Sequence, residues 1–280
     1  MKTGFIGLGQ MGLPIAYRIA KRTPLYVWNR THEKVEKHKS GIGKNSIFTK
    51  LEKMHDIDVI FTCLPSTEES GLLIRKLARE STSRKTFLDL SSGCFRESCK
   101  IAQNVQPHTY IDVPVSGGPK GAVAGTLTSI VGAKSMQLCL QNLIKTYSNK
   151  IIYCGNVGHG NAVKSVNNYL NVSHLMLASD ALLGLKKQGV DINLALEAIN
   201  SSSGRSLQTQ ERIPNEIMTN EYDYGFKLDL MCKDVNNARP MLDDGLYYKH
   251  FNSVLQKLSS QEDYTTIVKY IEKKNKECFT

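Results

Sequence analysis

The sequence predicts two domains: an α/β domain with a doubly wound, mostly parallel sheet over residues 1–160, and an all-α domain over residues 161–280, joined by a long helix. Three observations carry this reading. Short apolar runs alternate with helical patterns through the first half of the chain. A glycine triplet, Gly7, Gly9 and Gly12, stands between the first such run and the first helical pattern. From Asn161 onward, apolar residues recur only at helical spacing, with no convincing strand. A length of 280 residues suits two domains and leaves ample chain for a core.

The first run, residues 3–8, reads as a strand and leads into Gly7-Leu8-Gly9-Gln10-Met11-Gly12, after which LPIAYRIAKR reads as a helix. This is GxGxxG in the setting it requires, strand before and helix after. The first glycine permits a tight turn, the second lets a pyrophosphate approach the backbone, and the third lets helix pack on strand, while free amides at the helix N-terminus hold the phosphates. A glycine turn without a ligand would look the same in isolation. Its place at the head of an alternating α/β pattern favours a dinucleotide and a Rossmann domain. The second strand, residues 25–28, ends in Asn29, Arg30 and Thr31, where NAD-binding folds carry an acidic residue for the ribose hydroxyls. No carboxylate stands there to repel a phosphate, and a guanidinium can bind one bidentately, so NADP (NADPH) is favoured over NAD.

Strands at 58–64, 86–89 and 110–113, with a helix after Pro65, continue the alternation. Ligands of such sheets bind beyond the carboxyl ends of the strands, which makes Leu64, Pro65 and Ser92 candidate cofactor contacts, although Pro and Ser also form turns there. Residues 112–127 read DVPVSGGPKGAVAGTL, and within them Ser116, Gly117 and Gly118 offer a hydroxyl and unhindered amides able to cradle a carboxylate. Further strands are expected at 126–131 and 151–153.

Residues 158–168, GHGNAVKSVNN, set Lys164 and Asn168 four apart at the start of a helical pattern, so both leave the same helix face. The pattern runs to Gly189, a good C-terminal stop, and predicts a helix of about 40 Å at about 1.5 Å per residue. Helical patterns follow at 192–199, 210–218, 228–241, 247–258 and 264–274. Lys233 and Asp234, adjacent in one of them, point about 100° apart and by themselves read as surface charges.

Composition excludes several classes. No apolar run approaches the roughly 18 residues of a membrane span, and the strand pattern begins at the third residue, leaving no room for a targeting peptide. Seven scattered cysteines without a CxxC pair read as reduced thiols of a cytoplasmic protein. The seven histidines show no ligand spacing, so no metal is expected. A net charge of +10 would suit anionic ligands or nucleic acid. The basic residues are dispersed, however, and the clusters at 34–39 and 273–276 alternate with Glu or fall in a tail, so they read as solvated faces and no nucleic-acid partner is expected.

With these motifs in order, the chain resembles the β-hydroxyacid dehydrogenase family, which includes 3-hydroxyisobutyrate dehydrogenases and glyoxylate or succinic semialdehyde reductases. The matching stretches are GFIGLGQMG, DVPVSGG, GxxxKxxNN at residues 160–168, and the Lys233-Asp234 pair. The resemblance implies that Lys164 is catalytic, that Asn168 holds substrate, and that Ser116, Gly117 and Gly118 bind its carboxylate. It also implies cofactor contacts at Leu64, Pro65 and Ser92, the last standing where the family commonly has Thr, and a Lys233 near the cofactor. Asn29, Arg30 and Thr31 match members that use NADP. Together with the length of the helix, the resemblance implies a homodimer or homotetramer.

The implied chemistry fits the residues. Oxidising a 3-hydroxy acid needs a base for the hydroxyl proton while hydride leaves for the nicotinamide, and the reverse needs the same group as an acid. Lysine serves both, with its usual pKa of about 10.4 favouring the reductive direction near neutrality. The expected function is therefore NADP(H)-dependent hydride transfer to or from a small carboxylate substrate, a 3-hydroxy acid or its semialdehyde. The rivals are a 6-phosphogluconate dehydrogenase-like oxidative decarboxylase and a non-catalytic dinucleotide-dependent interaction protein. The first is much longer and needs an arginine-rich phosphate pocket not apparent in this C-terminal half, and the second gives no reason to keep Lys164 and Asn168. Imine reductases typically lack the lysine.

Overall fold

The runs TGFI, LYVW, VIFT, TFLD and TYID are apolar on both faces, as strands covered by helices on two sides must be. They form β1 (Thr3–Ile6), β2 (Leu25–Trp28), β4 (Val59–Thr62), β5 (Thr86–Asp89) and β6 (Thr109–Asp112), with a short β3 (Ser46–Phe48) at one edge. All pair in parallel in the order β3-β2-β1-β4-β5-β6, which places the topological switch between β1 and β4. The computed structural model describes residues 1–31, 45–242, 248–255 and 262–280, and Cα packing divides it into Met1–Ser165 and Val166–Thr280. The basic cluster at 34–39, and residues 247 and 256–258 of one expected helix, lie outside the described residues.

Alternate strand residues face opposite layers. Phe5, Phe61 and Leu88 pack with Ile15, Ala16 and Ile19 of α1 (Gly12–Ala20). Their neighbours Ile6, Ile60 and Phe87 pack with Ile74 and Leu77 of α2 (Thr67–Glu80) and Ile101 of α3 (Phe95–Asn104). This is the doubly wound arrangement expected.

Several elements differ from expectation. β1 stops at Ile6 and not at residue 8, because Gly7 turns the chain at φ +101°. The three-residue β3 is too short to leave a periodic signal. The strands after Asp112 do not extend the large sheet: β7 (Val115–Ser116), β8 (Leu127–Val131) and β9 (Ser148–Tyr153) form a second sheet in that order, with β7–β8 antiparallel and β8–β9 parallel. Pro114 has no N–H for a ladder and breaks the chain between β6 and β7, while its carbonyl accepts from the Ile130 amide at 2.9 Å. Helices α4 (Gly118–Ala124) and α5 (Leu138–Ile144) complete this part.

The long helix α6 (His159–Lys187) has 29 residues, about 44 Å at about 1.5 Å each. It begins two residues before Asn161 and is followed by Gly189 in the left-handed region, φ +81°. In the C-terminal unit, α7 (Ile192–Asn200), α8 (Leu228–Leu242), α9 (Tyr248–Leu255) and α10 (Ile267–Asn275) follow. Leu175 and Leu182 of α6 pack there with Leu228, Met231, Val235, Ile267 and Ile271. The expected helix at 210–218 is a π-helix, Gln208–Ile217, with Pro214 inside it; the proline lacks an N–H, and the Met218 amide bonds back five residues to the Ile213 carbonyl. The expected helix at 264–274 opens as a 3-10 turn, Tyr264–Thr266, capped by Asp263. No described helix is long and apolar enough to cross a membrane, all seven cysteines are unpaired, and no cluster of three or more potential metal ligands occurs among the described residues.

Candidate active site

The three glycines of the first loop stand in different surroundings. A Cβ on Gly7 would run into the Cys63 carbonyl at the end of β4, and one on Gly12 into the Gly7 carbonyl, so neither position has room for a side chain. A Cβ on Gly9 would meet nothing within 4 Å. Gly9 and Gln10 are exposed, and Met11, at the N-cap of α1, provides no side-chain cap for the first-turn amides. An uncapped helix N-terminus behind an open glycine fits a phosphate group approaching the backbone. The Asn29 carboxamide holds this loop: its Oδ1 accepts from the Leu8 amide at 2.9 Å and its Nδ2 donates to the Thr31 carbonyl at 3.0 Å. Arg30 and Thr31 beside it are exposed.

The turns after β4 and β5 are tied together. The Leu64 amide donates to Ser91 Oγ at 2.9 Å, and the Ser91 amide donates to Asp89 at 3.0 Å. Asp89 is fully buried and also accepts from Thr62, Ser70 and Tyr110 at 2.9, 2.6 and 3.1 Å. Burial raises its pKa in spite of these hydrogen bonds. Pro65 is exposed and Ser92 half-buried at the two strand ends. One residue on, the Gly93 amide donates to Asn161 Oδ1 at 3.1 Å, and the Gly93 carbonyl accepts from Ser165 Oγ at 3.5 Å. Asn161 and Ser165 flank Lys164 on α6, so the turn bearing the lysine is fastened beside Ser92.

Ser116 lies in β7 opposite Thr128, and Gly117 and Gly118 follow with φ of +129° and +65°, which glycine adopts freely. This stretch leaves β6 at Asp112, whose buried carboxylate accepts from the amides of Gly158 and Asn161 at 2.7 and 2.8 Å. Burial pushes the Asp112 pKa up to about 6 against those two bonds.

In the C-terminal unit, Asn168 is buried and its Nδ2 donates to Asp234 Oδ2 at 2.5 Å. Lys233 Nζ stands 3.3 Å from Asp234 Oδ1. Lys233-Asp234 is therefore not a pair of surface charges. Asp234 is fully buried on the inner side of α8, and the flexible lysine reaches round to its carboxylate.

Sequence reasoning assigns no role to Asp89, Asp112 or Asn161, and it names Asp234 only as the neighbour of Lys233. A usable signal existed for the first two: TFLD and TYID both close an otherwise apolar strand with an aspartate, which a buried strand tolerates only with hydrogen-bond partners.

Residues 2–155 match the family described as the NAD binding domain of 6-phosphogluconate dehydrogenase, and residues 158–271 match that described as NAD-binding of NADP-dependent 3-hydroxyisobutyrate dehydrogenase. The chain is 31% identical over 245 residues to the 2-(hydroxymethyl)glutarate dehydrogenase of Eubacterium barkeri, covering 85% of this chain and 81% of that one. It is 29% identical over 294 residues to the mitochondrial 3-hydroxyisobutyrate dehydrogenase of Mus musculus, covering 96% and 86%. In fold it is similar to the Mycobacterium tuberculosis 3-hydroxyisobutyrate dehydrogenase with L-serine, at a TM-score of 0.85 and 22% identity over 96% of this chain and 98% of that one. A structure of Psf3 in complex with NADP+ and 2-OPP matches at a TM-score of 0.81 and 23% identity, over 96% and 99%. Sequence identity across both halves, on a fold whose glycine loop has room for a phosphate, makes this chain a member of the β-hydroxyacid dehydrogenase family of NAD(P)-dependent oxidoreductases acting on CH–OH groups.

Proposed function

We propose that the protein transfers a hydride between NADP(H) and a small 3-hydroxy acid or its semialdehyde, with Lys164 as the proton donor and acceptor. The observation that carries this is the placement of Lys164 one turn before Asn168 on α6, in a turn fastened through Asn161 and Ser165 to the Ser92-Gly93 corner beyond β5. NADP, when bound, supplies the nicotinamide that accepts or gives the hydride. The loop of Gly7, Leu8, Gly9, Gln10, Met11 and Gly12 would hold its phosphates, and Leu64, Pro65, Ser92 and Lys233 would be its further contacts. Asn29 is engaged with the Leu8 amide, no carboxylate occupies residues 29–31, and the exposed Arg30 is suited to a 2′-phosphate; this supports NADP over NAD.

Ser116 and the amides of Gly117 and Gly118 take the substrate carboxylate. Asn168, oriented by Asp234, holds the reacting oxygen. Lys164 receives the hydroxyl proton on oxidation and returns it on reduction. A homodimer or homotetramer is the assembly we favour, because α6 leaves Val163, Leu170 and Leu177 exposed at a seven-residue spacing. The match of residues 158–271 to the 3-hydroxyisobutyrate family favours a hydroxy acid over a phosphorylated sugar acid.

Loss of NADPH absorbance with glyoxylate, succinic semialdehyde and methylmalonate semialdehyde tests the reading, with formation of NADPH from 3-hydroxyisobutyrate as its reverse. Turnover is expected with at least one substrate, and Lys164→Ala is expected to lose it while binding NADPH normally. Cofactor binding without turnover on any substrate would favour a binding protein. A Lys164→Ala variant with near wild-type rate would end the assignment of proton transfer.

A further inference from the structure

The first turn of α6 is gripped from below by a residue to which the reaction described above gives no part. We propose that Asp112 is a positioning residue for Lys164: its carboxylate holds the N-terminus of α6 so that the lysine and the Ser116 loop keep a fixed separation. This rests on the assignment of proton transfer to Lys164.

The geometry joins three elements at one side chain. The carboxylate accepts the amide of Gly158, the residue before α6, to Oδ1 at 2.7 Å and the first-turn amide of Asn161 to Oδ2 at 2.8 Å, at the positive end of the helix dipole. The Asp112 carbonyl accepts from the Gly132 amide at 2.8 Å, which fixes the end of β8. The chain then runs four residues on to Ser116. A Cβ on Gly132 would run into the carboxylate, and one on Gly160 would stand 2.8 Å from Oδ2, so two glycines enclose the group. From the same turn, Asn161 Nδ2 donates to Ser98 Oγ at 2.9 Å while its Oδ1 takes the Gly93 amide. Lys164 is thus carried on a turn held at Asp112 and at Gly93, all within the N-terminal unit.

Both carboxylate oxygens are needed as acceptors. A proton, or an amide nitrogen, at either one would oppose a backbone N–H to a donor. The titratable groups facing Asp112 are Asp89 on β5, Tyr110 on β6, Cys99 on α3 and Cys154 after β9. His159 on α6 is engaged with the Cys154 carbonyl at 3.0 Å. Burial is the main cause that holds the Asp112 pKa at about 6, so the grip loosens in weak acid.

The test is Asp112→Asn, equal in volume, assayed beside Lys164→Ala. The expected result is a fall in kcat of about a hundredfold, as for a reacting group displaced by about 1 Å. NADPH affinity and Tm should be retained, and the variant should lack the acid limb expected of wild-type kcat below about pH 6. Wild-type kcat and an unchanged acid limb in a folded Asp112→Asn would overturn the proposal. Parallel loss of Tm, NADPH binding and kcat would also overturn it, since that is a structural role alone. Should the variant not fold, the wild-type profile decides, because a kcat flat through about pH 6 refutes the grip. An active Lys164→Ala would instead remove the functional reading on which this rests. An inactive Lys164→Ala beside an unimpaired Asp112→Asn would remove only the positioning.

Discussion

Alanine at Gly9 and at Gly12 should have opposite consequences, although each adds one methyl to the same six-residue loop. A Cβ at Gly9 meets nothing within 4 Å and its φ lies outside the left-handed region, so Gly9→Ala is expected to leave stability unchanged or raise it by about 0.4–1 kcal/mol through the unfolded chain. The methyl then occupies the space through which a pyrophosphate reaches the backbone amides. Losing one charge-assisted hydrogen bond costs about 1.5–3 kcal/mol, or roughly ten- to a hundredfold in NADPH Kd. A Cβ at Gly12 collides with the Gly7 carbonyl and comes within 3.3 Å of Cys63 Cβ, neither of which is the end of a flexible side chain. Gly12→Ala should therefore cost about 1–3 kcal/mol by overpacking. Thermal unfolding without cofactor reads the first quantity and fluorescence titration with NADPH the second. A Gly9→Ala protein that binds NADPH as wild type does would show that the ligand does not approach there. A clear fall in its Tm would contradict the open space.

Arg30→Ala should weaken NADPH by roughly tenfold or more and NADH far less, because only NADPH carries the additional phosphate; equal losses would remove the basis for preferring NADP. Asp234→Ala should raise the substrate KM by about tenfold, through loss of the charge-assisted bond that orients Asn168, and a KM unchanged from wild type would mean Asn168 needs no such support. Burial raises the Asp112 pKa from 3.8 to about 6, so the folded state binds this proton more tightly than the unfolded chain does. Its contribution to stability is complete below about pH 4 and is lost as pH rises through about 6, a change of roughly 3 kcal/mol that Asp112→Asn should remove from urea midpoints measured across that window. An identical slope in the variant would place the titration elsewhere. Leu170→Glu with Leu177→Glu should convert the expected dimer to a monomer in light scattering, and a monomeric wild type would refute self-association through α6.

The legible parts of this protein are those written in local repeats. β2, β4, β5 and β6 were visible as short apolar runs because strands buried on both faces need them. The glycine loop was visible because strand, turn and helix follow one another within a dozen residues. Lys164 and Asn168 could be put on one face of α6 from the helical repeat alone, and the stop at Gly189 from its freedom to take positive φ. Less was visible where one residue decides the outcome: Pro114 divides what reads as one strand series into two sheets, and Pro214 widens a helix into a π-helix.

What the sequence by itself determined is the fold class, the dinucleotide loop and the spacing of lysine and amide, all set by backbone periodicity over a few turns. Only the tertiary structure decided what holds them. Asn168 meets Asp234 across 66 residues, Asn161 meets Gly93 across 68, and the Gly158 and Asn161 amides meet Asp112 across 46 and 49. No local pattern records those pairings: an aspartate closing an apolar strand signals burial but not its partners. The donors that make burial tolerable follow only from the packing of elements far apart in the chain.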